Sequence, residues 1–143
     1  MKISDAKIEN VLLNEKNSNM LSLTSAKVFY QIGEIIEELH NKISRREIIN
    51  LKNKLKHYKY IDEISDIKEG TYIRWISIID DDCVLQKGGI FCETQITDTQ
   101  IILLCKTVYN NKLFSLKLDE NIIFQKLTTD DIILLTVLDY YAK

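Results

Sequence analysis

Apolar residues follow two different rhythms along this chain. From Ser25 to Tyr60 the rhythm is helical. Val28, Ile32, Ile35, Ile36, Leu39 and Ile43 recur at spacings of three and four, which places them on one helix face. Ser25 is the expected N-cap, because its hydroxyl accepts a free backbone N–H at the helix start. Ser44-Arg45-Arg46-Glu47 has the form of a capping box, in which serine and glutamate satisfy each other's orphan N–H groups. A second helix is expected from Arg45 to Lys59. Ile48, Leu51, Leu55 and Tyr58 form an a/d-like stripe along it. The two helices make either a hairpin or one kinked rod.

After Tyr60 the rhythm shortens. Strands are expected at Tyr72–Ile79, Ile90–Ile96, Ile101–Val108, Leu113–Leu118 and Ile122–Leu127, each bounded by Gly, Asn or Asp. Asn110-Asn111 suits a tight hairpin turn, since Asn tolerates positive φ. Asp80-Asp81-Asp82 and Lys87-Gly88-Gly89 also read as turns. Short strands at this spacing point to a meander that curls into a small barrel. Thr128 or Thr129 caps a last helix, with Asp130 and Asp131 at its positive end. Ile132, Leu135, Leu138 and Tyr141 are expected to face the barrel or a neighbouring subunit. Ahead of all this, Ala6 to Leu13 suggests a short helix and Asn14 to Asn19 a loop.

The expected fold is therefore α+β: N-terminal helices, then a small antiparallel β-barrel, then a C-terminal helix. Its divisions are an N-terminal arm over 1–24, a helical segment over 25–60, and the barrel with its closing helix over 61–143. A chain of 143 residues fits one domain.

Composition narrows the function. The net charge is -2, without the basic excess of a broad nucleic-acid surface, so any phosphate contact has to be a local patch. No apolar run reaches the roughly 18 residues of a membrane span. The polar N-terminus lacks the features of a signal peptide, and a reducing, cytosol-like compartment is expected. The three cysteines, Cys83, Cys92 and Cys105, are odd in number and lack CxxC spacing. They read as reduced, buried thiols and not as a disulfide or zinc framework.

No catalytic, cofactor or metal set is expected. His40 and His57 are the only near-neutral acid–base groups, and both sit among polar helical neighbours. Asp80-Asp81-Asp82 lacks the spaced acids and glycine of a calcium loop, and Lys87-Gly88-Gly89 lacks the spacing of a phosphate loop. Two surfaces are more informative. Arg45, Lys52, Lys56 and Lys59 fall nearly in line at 100° per residue, a ridge suited to phosphates or an acidic protein surface. A quarter turn away, Ile48, Leu51, Leu55 and Tyr58 form the candidate protein interface. Trp75 is expected to fill the barrel core, while Tyr58, Tyr60, Tyr72 and Tyr109 either edge that core or line an aromatic groove for an extended peptide.

From Tyr58 onward the sequence resembles a group of small proteins encoded by nucleocytoplasmic large DNA viruses. The resemblance is carried by Ile67-Lys68-Glu69-Gly70-Thr71-Tyr72-Ile73-Arg74-Trp75, by Gly88-Gly89-Ile90 and by Phe114-Ser115-Leu116-Lys117-Leu118. It implies a compact SH3-like β-barrel and a setting in the virus particle (virion) or the host cytoplasm. It implies no catalytic residue. The expected function is thus a non-enzymatic structural or assembly protein, viral in setting, that contacts other protein subunits, either copies of itself or virion proteins. The alternative is a nucleic-acid-associated protein that uses the basic helix face. No small-molecule substrate is expected.

Overall fold

The computed structural model describes residues 24–142, so the expected arm over 1–24 lies outside the described residues apart from Thr24. Helix α1 spans Ser25–Glu37 and α2 spans Arg45–Lys54. Six strands follow: β1 Tyr58–Ile61, β2 Tyr72–Ser77, β3 Gly89–Ile96, β4 Ile101–Lys106, β5 Leu113–Lys117 and β6 Asn121–Lys126. Helix α3, Thr129–Tyr141, ends the described chain.

All five expected strands form within two residues of their expected ends. The caps are local chemistry. Thr24, not Ser25, caps α1, its hydroxyl accepting from Lys27 N. Ser25 instead bonds Asp139 through both its backbone N (2.9 Å) and its hydroxyl (2.6 Å), which ties α1 to α3. Ser44 caps α2 by accepting from Glu47 N. Its hydroxyl also donates to the Glu47 carboxylate at 3.1 Å, so the glutamate reaches the cap side chain. Thr128 and Asp131 complete a reciprocal capping box on α3.

The second helix stops earlier than its periodicity suggests. Leu55 closes α2, and by Tyr58 the chain is already a strand paired with β6, from Tyr58↔Lys126 to Ile61↔Ile123. Tyr58 fits the helical stripe and the strand equally well. The ladder to β6 decides, because each residue gains cross-strand bonds that a helix end leaves to solvent.

The sheet is antiparallel, in the order β1-β6-β2-β3-β4-β5. No ladder among the described residues joins β1 to β5, so the sheet is open and the expected closed barrel is not formed. It is nevertheless strongly curled. Leu118–Glu120, a single 3-10 turn, is all that connects β5 to β6. In a flat sheet four strand steps would separate those strands by roughly 19 Å. Four Cα steps reach only about 15 Å. The bulge between Phe91 and Glu93 bends β3 and supplies part of the curvature. Trp75 on β2 accordingly meets Phe114 on β5, with ring centroids 5.3 Å apart.

Curling divides the apolar residues between two faces. The concave face encloses Ile61, Ile73, Phe91, Leu103, Cys105, Leu116 and Ile123. On the convex face, α1 and α2 pack Ile32, Ile36, Leu39, Ile48, Leu51 and Leu55 against Ile76, Leu85 and Phe124. Helices and strands therefore share a core, and the expected boundary between residues 60 and 61 falls inside β1. A third cluster joins Val28 of α1 to Ile133, Leu134 and Leu135 of α3. This corrects part of the expected face of α3. Leu135 is buried and Leu138 half-buried, in keeping with that face, but Ile132 and Tyr141 are exposed, and Asp131, Ile133 and Leu134 are buried in their place.

Gly88 shows how tightly the β2–β3 turn is built. Its φ is +101°, and a Cβ there would lie 2.3 Å from the Ile73 carbonyl oxygen. Gly88→Ala is expected to destabilise the chain by more than about 1 kcal/mol. Thermal unfolding followed by circular dichroism reads the loss, and an unchanged midpoint would refute this account of the turn.

Candidate functional site

The helical basic ridge does not survive folding as a ridge. Glu37, at the end of α1, takes up two of its members. Arg45 Nη1 and Lys52 Nζ each lie 2.6 Å from a Glu37 carboxylate oxygen. The hydrogen bonds from Arg45 and then Lys52 hold the Glu37 carboxyl down to about 2. Lys59 is carried into β1 and buried, with its Nζ 3.7 Å from Asp131 Oδ1. Only Lys56 stays exposed without an ion pair among the described residues.

The apolar stripe proposed as an interface is likewise spent inside the chain. Ile48, Leu51 and Leu55 are buried in the helix–sheet core, and Tyr58 packs half-buried against it. The physical reason is the underside of the sheet. β6 brings Phe124, and β2 brings Ile76, to the convex face, and among the described residues these two helices, with Cys83 and Leu85, pack against them.

A buried charged cluster sits where β1, β6, α3 and the segment before β2 meet. Asp131 is fully buried, and its Oδ1 lies 2.8 Å from Lys68 Nζ. Its Oδ2 accepts from Thr128 N at 2.9 Å. Burial alone would raise the Asp131 carboxyl, but Lys59, Lys68 and the Thr128 N–H outweigh it and hold it below the ordinary carboxylate value. Burial pushes the Lys59 ammonium down, and the Asp131 charge opposes that shift. Beside the cluster, Gln125 Oε1 accepts from Lys68 N at 2.7 Å. Gln125 Nε2 is buried and has no hydrogen-bond partner among the described residues. In the sequence Asp131 stands out only as a favourable helix-start charge. Its pairing with Lys68 spans 63 positions and leaves no local trace.

Other candidate chemistry is dispersed. Both histidines are exposed, and His40 Nδ1 lies 3.0 Å from the Glu37 carbonyl oxygen. Cys83 and Cys105 are buried and Cys92 is partly exposed. Burial pushes the Cys105 thiol up to about 12. Asp81 and Asp82 form the expected turn, with Asp81 3.7 Å from Lys42 Nζ. No group of three or more His, Cys, Asp or Glu able to hold a metal ion occurs among the described residues. A cleft of about 500 Å³ lies between Ile64–Glu69 and the Phe91–Thr94 part of β3. Lys68, Glu69 and Glu93 on its wall bring both signs of charge. No described helix is long and apolar enough to cross a membrane.

The most exposed apolar group is the tip of the β4–β5 hairpin. Val108, Tyr109 and Leu113 are 61%, 102% and 74% exposed. Asn111, in the left-handed region at φ 54°, makes the turn that brings them together, and Thr107 N donates to Lys112 O across its neck. Behind the tip runs β5, which pairs only with β4 among the described residues. The other sheet edge, β1, is short and is contacted by α1. No family model, curated protein or solved structure matches this chain.

Proposed function

We propose that this chain is a non-catalytic assembly domain that pairs with a second copy of itself through the β4–β5 hairpin. The observation that carries the proposal is the joining of an open strand edge to three exposed apolar side chains at one corner of the sheet. An unpaired edge presents a row of backbone donors and acceptors that another strand can satisfy. Antiparallel pairing of two β5 strands about Ser115 sets Leu113 opposite Lys117 of the other copy. No like charges then face each other.

The SH3-like description belongs to this proposal. It is supported by the run β2 to β6, by the bulged β3 and by the 3-10 turn just before the last strand. The setting in a virus particle or infected cell rests on the resemblance carried by residues 67–75, 88–90 and 114–118. The non-catalytic reading draws support from the exposed, separated positions of His40 and His57.

Sedimentation of the full chain across a concentration series tests the proposal. Self-association is expected, persisting in moderate salt because apolar and backbone contacts are little screened. Leu113→Lys is expected to return the chain to monomer with its circular dichroism unchanged. A chain that remains monomeric at every concentration refutes the pairing.

A further inference from the structure

We infer that the convex face of the sheet carries a binding row for single-stranded nucleic acid, on residues other than the helical ridge. Strand register assembles it. Tyr58 pairs with Lys126, Tyr72 with Ile90, and Ile90 with Lys106. Ile73 pairs with Gln125, so Tyr72 and Lys126 are neighbours one position along. Cross-strand partners share a face. The row across β1, β6, β2, β3 and β4 therefore reads Tyr58, Lys126, Tyr72, Ile90, Lys106. These side chains alternate with Gln125, Ile73, Phe91 and Cys105, which point to the other, buried side.

Arg74 stands next to the row. Its Nε donates to Gln86 O at 2.8 Å, and its charge acts on the Tyr58 hydroxyl. Neither Lys106 nor Lys126 is in an ion pair among the described residues. No position in the row is acidic. Lys126 and Lys106 are three strands apart, about 14 Å along the sheet. Half-buried Tyr72 lies between these cations, its hydroxyl donating to the Lys87 carbonyl oxygen, and half-buried Tyr58, packed against the helix–sheet core, lies beside Lys126.

Cations that track a phosphate chain, interleaved with rings on which bases stack, form the pattern that single strands recognise. A lipid surface fits less well, because it wants large apolar groups that insert, and Ile90 is half-buried. The chain's net charge of -2 does not oppose the inference, since the positive charge is local. The row ends at Lys106, whose cross-strand partner is Leu113 of β5, so it borders the proposed pairing edge, while Tyr58, Lys126 and Tyr72 lie two or more strands from it.

Fluorescence anisotropy of the full chain with a labelled oligothymidylate or oligouridylate of about 20 nucleotides tests the row. With about three phosphate contacts, raising salt from about 50 to about 200 mM is expected to weaken binding roughly twentyfold. Lys106→Glu with Lys126→Glu is expected to lower affinity at least about tenfold, and Tyr72→Ala by about tenfold. Lys106→Gln with Lys126→Gln provides a milder pair should the reversal impair folding, with circular dichroism as the check. Arg46→Glu, on the exposed side of α2, is expected to leave affinity within about twofold. Absence of binding at low salt overturns the inference. So does equal loss from Arg46→Glu, affinity that survives both lysine pairs, or capture by phosphatidylserine vesicles in place of the oligonucleotides.

Discussion

Replacing Asp131 by alanine is expected to cost about 3–5 kcal/mol of unfolding free energy. The carboxylate is fully buried and faces two lysines whose side chains are 8% and 14% exposed. Removing it leaves positive charge facing positive charge in a place water scarcely reaches. It also breaks the capping box that starts α3, because Asp131 Oδ2 is the acceptor for Thr128 N. Urea denaturation measures the loss. Removing all three charges, with Asp131→Leu, Lys59→Met and Lys68→Met together, is expected to recover much of it, since apolar groups pay no desolvation cost. A loss below about 1 kcal/mol for Asp131→Ala would mean the lysines are stable there without their partner.

The cluster also sets a pH response. The folded value of Asp131 is lowered, so its stabilisation is complete above the unfolded carboxylate value, near 3.9. It is lost as pH falls through the folded value. The folded value of Lys59 is lowered too, so folding favours release of that proton. Stability from this group therefore rises with pH between its folded value and the unfolded value of about 10.4. Denaturant midpoints are expected to drop in acid and not to drop between neutral and mildly alkaline pH. In Asp131→Ala the acid limb is expected to flatten.

Leu55→Ala is expected to cost about 2–5 kcal/mol and to leave self-association untouched. Leu55 is fully buried where the end of α2 meets the sheet. Truncating it opens a cavity against Phe124 and its neighbours, and close-packed surroundings relax only in part. The same substitution would be cheap and would weaken association if the stripe on α2 were a partner surface. Denaturation and sedimentation of one variant therefore separate core from interface. A small stability cost with weakened association would restore the interface reading of Ile48, Leu51, Leu55 and Tyr58.

Several elements were legible from short stretches alone. The strands at 72–77 and 101–106 follow from β-branched runs between turn residues, and the Ser44 and Thr128 caps from their hydroxyls. Strand β1 was not legible, because Tyr58 continues the helical spacing of Ile48, Leu51 and Leu55. The buried face of α3 is only partly legible for a related reason. Its residues are apolar most of the way round, so periodicity does not set a phase. The Asp131 pairing and the Val28 contact do. The basic ridge assumes a helix that runs to Lys59, but α2 ends at Lys54. The ridge lost Arg45 and Lys52 to Glu37, and Lys59 to a strand that a helical reading placed on α2.

By itself the sequence determined that this chain makes its helices and most of its strands, where its turns fall, and that Ser44 and Thr128 are caps, while the Thr24 cap and the early end of α2 were not determined by it. The outcomes it determined depend on neighbours a few positions away. The strand order, the curl, the burial of Lys59 and Asp131, and the alignment of Tyr58, Tyr72, Lys106 and Lys126 were decided only by the tertiary structure. Each of these depends on residues far apart in the chain coming within a few ångströms, and neither charge nor hydropathy along a line records which distant partner a side chain will meet.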